Sequence, residues 1–261
     1  MHPLIHLFGK EIPSYGLCAV LGVCAAMLFT VLFARRRGLD TENAVYILAM
    51  GGVGALLGAK VLYLLTVLPQ FLGDLPLLLR DPTLFVSRYL AGGFVFYGGL
   101  LGGIGTAWHT AKGYHGDLRD YARVLAPATA LFAGIGRIGC LMTGCCYGRE
   151  TDLPIGMRFD ASPVAPHGVD LIPTQLIEAL FDFALAAVLW RLGREGSRAS
   201  RHLIGIYLGT YAAFRFLLEF LRADEARGSL GWFSTSQWIS IGALIILTII
   251  FLSERKRDHE V

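Results

Sequence analysis

An all-helical integral membrane protein is the fold class this sequence predicts, and three observations carry that expectation. Hydrophobic residues fill 54% of the 261 positions and charged residues only 16%, where soluble domains carry about 25% charged residues. Apolar runs of about 20 residues, long enough to cross about 30 Å of hydrocarbon, recur along the chain, and mean hydropathy is +0.56. The 32 glycines suit helices that approach one another closely inside lipid.

The runs predict about seven transmembrane helices near 13–33, 44–67, 92–113, 123–143, 173–192, 203–222 and 232–253, as a single polytopic membrane domain over 1–261. The first run is followed by Arg35-Arg36-Arg37 rather than by a small-residue cleavage site, so it is expected to stay in the mature protein. Spans three and four are Gly-rich and carry polar residues. The long connections 68–91 and 144–172 contain Pro69, Pro76, Pro82, Pro154, Pro163 and Pro166, and are expected to form short interfacial helices or ordered loops.

Lysine and arginine placement sets the orientation. With the N-terminus outside, 13 of the 23 basic residues face the cytoplasm: Arg35, Arg36, Arg37, Lys112, Arg119, Arg123, Arg191, Arg194, Arg198, Arg201, Arg255, Lys256 and Arg257. Seven lie outside (Lys10, Arg80, Arg88, Arg149, Arg158, Arg222, Arg227), and Lys60, Arg137 and Arg215 fall within spans. The bias predicts N-out, C-in, which requires an odd helix count. A net charge of +3 is small and argues against nucleic acid as a partner.

At about 1.5 Å per residue, Arg137 lies roughly 9 Å below the outer boundary of span four. Lys60 and Arg215 each sit about two turns from the outer ends of spans two and six, and Glu219 follows Arg215 by one turn. Span five begins with Thr174, Gln175 and Glu178, span three with Tyr97, and span one with Ser14 and Tyr15. Six spans thus place polar groups in one outer layer. Either Arg215–Glu219 is a same-helix pair and the other groups snorkel to the interface, or all share a polar chamber opening to the outer leaflet. The chamber also explains why the inner half is nearly bare. Two guanidiniums suit phosphate or carboxylate, and the abundant phosphate at this depth is a phospholipid headgroup. An enzyme acting on lipid headgroups and a lipid or anion transporter both fit.

The densest motif runs from Gly134 to Arg149, with Arg137 set among Gly134, Gly136 and Gly139, and with Gly144 and Gly148 at the way out of the membrane. From Gly136 to Gly148 it resembles the signature G-R-x-G-N-F-x-N-G-E-x-x-G of the prolipoprotein diacylglyceryl transferases. Further matches follow in order: Ser14-Tyr15-Gly16-Leu17, Phe96-Tyr97-Gly98-Gly99-Leu100-Leu101-Gly102, Pro173-Thr174-Gln175-Leu176-Ile177-Glu178, the run from Gly209 to Arg222, and Gln237 with Ser240. The resemblance covers nearly the whole chain.

It implies transfer of a diacylglyceryl group from phosphatidylglycerol to the lipobox cysteine thiol of a prolipoprotein, at the outer face of a bacterial plasma membrane. Glycerol-1-phosphate would leave, and neither a metal nor another cofactor would be required. Carried over by position, the catalytic residues are Arg137, Arg215, Glu219 and Tyr97, with Glu219 orienting Arg215. Tyr15, Gly98, Gly99, Lys60, Cys140, Thr143, Gly148, Gln175 and Glu178 would bind substrate, with membrane lipids around them. Arginines that hold the phosphate also stabilise charge growing on the leaving group.

The departures lie in the signature itself. Cys140 and Thr143 replace the two asparagines, Cys145 replaces the glutamate, and Tyr97 stands where a histidine often precedes Gly-Gly-Leu. Hydrogen-bonding capacity falls, and tyrosine is a poorer base than histidine at neutral pH. A paralogue that uses the same phospholipid site with a different acceptor therefore stands as an alternative. Cys140, Cys145 and Cys146 have three readings: apolar packing, a Cys140–Cys145 disulfide, or catalytic or metal-binding thiols, with His167 as a fourth ligand were the metal zinc. Cys18 and Cys24 fall in an apolar helix and are expected to pack.

Overall fold

The computed structural model describes residues 3–7, 9–90, 93–114, 116–194, 198–223 and 229–259. Among them, seven long helices follow one another: α1 Ser14–Arg36, α2 Thr41–Thr66, α3 Phe96–Gly113, α4 Leu118–Thr143, α5 Thr174–Leu192, α6 Leu203–Leu218 and α7 Thr235–His259. Each coincides with an expected span, and Arg227 lies outside the described residues. Five of the helices (α1, α2, α4, α6 with its flanking turns, α7) are long and apolar enough to cross a membrane. The chain is an all-helical membrane protein. Helices α3 and α5 have comparable length but give up apolar side chains, α3 to glycine and α5 to Thr174, Gln175, Glu178 and Asp182.

The chain divides into two compact units, Thr30–Tyr121 and the remainder, Met1–Phe29 with Ala122–Val261. In the Thr30–Tyr121 unit, α2 and α3 pack backbone against backbone. Gly54-x-x-x-Gly58 meets Gly98-x-x-x-Gly102, and a Cβ on Gly58 or on Gly98 would strike the carbonyl oxygen of the other. Small residues at four-residue spacing permit this approach, and in lipid such contact replaces the hydrophobic drive that water supplies elsewhere. Thr106 Oγ1 donates to Met50 O at 3.1 Å and ties the helices further along.

The 68–90 connection forms three short helices, Leu68–Gly73, Leu77–Arg80 and Pro82–Tyr89. Asp74 binds them together, accepting from Tyr89 Oη at 2.6 Å and from Arg88 Nη1 at 2.8 Å. The acidic partner raises the Tyr89 phenol above its ordinary range, with burial adding to the effect.

The larger unit has two regions. Small and aliphatic residues of α4, α5 and α6 (Ala122, Ala126, Ala130, Leu185, Ala186, Leu189, Leu203) form an apolar core. The ends of α4 and α6 and the beginnings of α1, α5 and α7 carry the polar groups. Residues 144–172 are an ordered loop around buried Phe159, Ala165 and Leu171, with bridges Glu150↔Leu171, Met157↔Leu171 and Gly148↔Arg222.

Two hairpins are additions that hydropathy does not reveal: Leu4–Leu7 with Lys10–Pro13, and Ser229–Leu230 with Phe233–Ser234. Helix α6 ends earlier than expected, at Leu218, and tightens into a 3-10 turn over Glu219–Leu221. The narrower turn lets Arg222 N reach Glu219 O at 3.3 Å.

Candidate functional site

The cluster of arginines and carboxylates lies in the larger unit. Arg137 is on α4, one turn before Cys140, on a stretch where Gly136 leaves open space and Gly139 is covered by Cys18 and Tyr15 of α1. Its guanidinium forms an ion pair with Glu178 of α5 (Nη2–Oε1, 2.8 Å). The Glu178 side chain is 1% exposed and that of Arg137 is 23% exposed. The carboxylate therefore anchors one side of the fork, and the fork still opens outward with donors to spare.

Glu178 is shared. Tyr211 Oη of α6 donates to its Oε1 at 3.2 Å, and Arg222 Nη1 stands 3.9 Å from its Oε2. Arg215 is held by Glu219 at 2.7 Å, one turn along, and donates from Nη2 to Ser236 Oγ of α7 at 3.4 Å. Both side chains of this i,i+4 pair are buried. This is the same-helix pair that the i,i+4 spacing predicted. Three arginines and two glutamates thus share one buried polar region, and charges so placed need partners. Asp182, one turn beyond Glu178 on α5, is a further buried carboxyl group beside them, with Arg137 as an electrostatic neighbour.

The turn after α4 is fixed from two sides. Gly144, with φ 74°, closes the helix through Gly144 N and Cys145 N, both donating to Cys140 O. Gln175 Nε2 then donates to Cys145 O and Thr174 Oγ1 to Cys146 O, each at 2.7 Å. Gly148 is buried where a Cβ would meet Ile172 and the Leu221 carbonyl, so only glycine fits that crossing. Thr143 Oγ1 donates into its own helix, to Gly139 O at 3.0 Å. Hydrogen bonds from the Cys140 and Cys145 thiols, joined by the Arg222 guanidinium, pull the Cys146 thiol well below its ordinary range against the opposing effect of burial. The five cysteines are not joined in disulfides.

Each residue singled out from the sequence can now be placed. Arg137, Cys140, Thr143, Gly148, Gln175, Glu178, Arg215, Glu219 and Tyr15 belong to the larger unit, and Tyr15 is 53% exposed beside Gly139. In the Thr30–Tyr121 unit, Tyr97 is half-buried on the first turn of α3, while Gly98 and Gly99 turn a face to α2. Lys60 Nζ donates to Tyr89 O (3.2 Å) and Leu90 O (3.1 Å) and lies over the Phe94 ring. His167 Nε2 stands 2.8 Å from Ser162 O, within its own loop.

Sequence reasoning missed the part played by Arg222, Tyr211 and Ser236. Arg222 was counted with the external charges although it is 6% exposed. Its position one turn beyond Glu219 was the available signal. Tyr211 lies one turn before Arg215 on the same helix, and nothing in the sequence marks Ser236.

An all-helical membrane protein with a buried arginine–carboxylate cluster is the class these features define. The family model described as prolipoprotein diacylglyceryl transferase matches residues 3–253, and the chain belongs to that family. It is 36% identical over 256 residues to the phosphatidylglycerol–prolipoprotein diacylglyceryl transferase of Clostridium tetani, covering 98% of both chains. The similarly named transferase 2 of Clostridium perfringens is 37% identical over 259 residues, at 97% of both chains. The Geobacter sulfurreducens enzyme is 32% identical over 256 residues, at 95% of this chain and 93% of its own.

Proposed function

We propose that this protein transfers a diacylglyceryl group from phosphatidylglycerol to the lipobox cysteine thiol of prolipoproteins, releasing glycerol-1-phosphate. The observation that carries the proposal is the pair of buried guanidiniums, Arg137 and Arg215, each clamped by a carboxylate inside apolar helices. A phosphodiester held there loses water and gains fixed donors on the oxygen that departs, where electrostatic help lowers the barrier most. The acceptor sulfur attacks the glycerol carbon that bears the phosphate, and the carbon–oxygen bond breaks.

In this reading Arg137 and Arg215 hold the phosphate, Glu219 orients Arg215, and Glu178 orients Arg137. Tyr15, Cys140, Thr143, Gly148 and Gln175 shape the substrate site. Tyr97 takes a catalytic place, and Lys60, Gly98 and Gly99 contact lipid, on motif correspondence alone. The frame belongs to the same proposal: seven spans in a single polytopic domain, N-terminus outside, C-terminus cytoplasmic, in a bacterial plasma membrane with the site toward the outer leaflet. The signal-peptide segment around the lipobox is the second substrate.

Mass spectrometry of a lipobox peptide incubated with phosphatidylglycerol and the purified protein tests the reading. The peptide gains the diacylglyceryl mass, and Arg137→Ala and Arg215→Ala each lose at least about 100-fold in rate. Full activity in both variants sinks the assigned roles. The substituted signature at Cys140, Thr143 and Cys145 favours one second reading, a different acceptor. That reading predicts phosphatidylglycerol consumption with native membrane extract while the peptide stays unmodified. Substrate flux across liposomes with no covalent product would indicate a transporter.

A further inference from the structure

The Sγ atoms of Cys140, Cys145 and Cys146 all lie within 4.8 Å of one another. Packing alone does not account for that convergence, because the turn that produces it is costly. Cys146 adopts φ 63°, the left-handed region, which costs a non-glycine residue about 1–2 kcal/mol. Gly144 has already turned the chain two residues earlier, at φ 74°. Two consecutive carbonyls are pinned by Gln175 and Thr174, and both following thiols face back over Cys140. Strain held in place from outside is a mark of function.

Three sulfurs at tetrahedral angles around a zinc ion, with Zn–S of about 2.3 Å, stand about 3.8 Å apart. No pair here therefore has to close by more than about 1 Å, within the reach of small thiol rotations. Three thiolates and a divalent cation sum to one negative charge. Arg222 lies within hydrogen-bonding reach of Cys146, and Arg137 is an electrostatic neighbour of Cys140, so that charge is compensated. No fourth histidine, cysteine or carboxylate joins the cluster among the described residues, and His167 is engaged with Ser162. Three fixed ligands and an open fourth position distinguish catalytic zinc sites from structural ones.

We propose that Cys140, Cys145 and Cys146 bind one thiophilic divalent ion, zinc, whose open position takes the acceptor thiol as a thiolate. The acceptor half of this inference rests on the transfer function proposed above; the metal half stands on the thiols alone. On coordination the acceptor's S–H proton leaves to water. A lone pair of the metal-held sulfur then forms the S–C bond, and the C–O pair departs with glycerol-1-phosphate. Two of the three ligands, Cys140 and Cys145, occupy the signature positions where an amide and a carboxylate are missing. The metal supplies the thiol activation that Tyr97, standing in the histidine place, supplies poorly.

Metal analysis and cobalt substitution of the intact purified protein test this. We expect one zinc per chain, and on exchange to Co²⁺ an intense sulfur-to-metal charge-transfer band that Cys145→Ser and Cys146→Ser each lose. A cysteine-containing lipobox peptide shifts the cobalt spectrum, and the same peptide with serine in its place does not. Wild-type protein with neither zinc nor a cobalt–thiolate band overturns the site, whether or not the serine variants fold, as does a disulfide among the three cysteines in the isolated protein. A bound metal whose spectrum ignores the peptide overturns the acceptor role. Lipidation by fully metal-free protein overturns the metal's part and leaves the transferase reading intact. A peptide-responsive metal site in protein that never lipidates the peptide supports the site and overturns the transferase reading.

Discussion

The α2–α3 contact and the arginine–carboxylate region solve the same problem in opposite ways. Both hold helices together where water is scarce. Between α2 and α3 the sequence removes side chains, so that two backbones meet at Gly54, Gly58, Gly98 and Gly102. Along α4, α5 and α6 it adds charge, held in two ion-paired groups, Arg137–Glu178–Arg222 and Arg215–Glu219. The first contact is cheap in solvation and intolerant of any added atom. The second tolerates shape changes poorly for another reason: each charge removed strands its partner. A glycine contact can only pack, whereas a partly open cluster of charges can also bind.

The largest effect should come from the glycine side. Gly58→Val inserts branched atoms against the Gly98 backbone, and we expect protein that fails to accumulate in the membrane fraction. Normal yield with unchanged thermal stability would show that the contact is slack. Next is Glu178→Ala, which leaves Arg137 and Arg222 facing each other without their shared carboxylate. A loss of about 3–5 kcal/mol follows, read as a drop in unfolding temperature in detergent. Glu178→Gln should retain part of that stability and little transfer activity, which would separate the structural from the electrostatic task. Tyr211→Phe removes one hydrogen bond to a charged oxygen, worth about 1.5–3 kcal/mol, and should lower activity in parallel with Arg137 orientation. The smallest effect belongs to the exposed Arg88–Asp74 pair. Arg88→Ala should cost under about 1 kcal/mol and vanish at high salt, and a larger change would mean that the short helices depend on it.

Approximate helix ends were legible because a hydrocarbon slab imposes one length on every apolar run, and five of the long helices meet that length and hydropathy. The segment 68–91 was expected as interfacial helices or ordered loop, and its prolines do open short helices at Leu68–Gly73 and Pro82–Tyr89. Where α6 stops was not legible, because Glu219, Phe220 and Leu221 suit either an α-helix or a 3-10 turn. The candidate site divides in the same way. Arg137 and Arg215 stand out in sequence because a guanidinium inside an apolar run needs a partner, and only Arg215 has a carboxylate one turn away on its own helix. Arg222 does not, because an arginine after an apolar run reads as an interfacial charge until a glutamate of α5 is found 3.9 Å away.

The sequence by itself determined that this chain is a helical membrane protein and that its basic side chains within apolar runs need an anionic partner. Both conclusions follow from solvation, which each residue carries wherever the fold places it. Only the tertiary structure decided which carboxylate serves which arginine, that Glu178 is common to two of them, and that three thiols converge over one strained turn. Those facts depend on crossings between α4, α5 and α6 and on two backbone carbonyls held by Thr174 and Gln175. Such contacts join residues about 30 to 45 positions apart, and no local pattern of residue types encodes them.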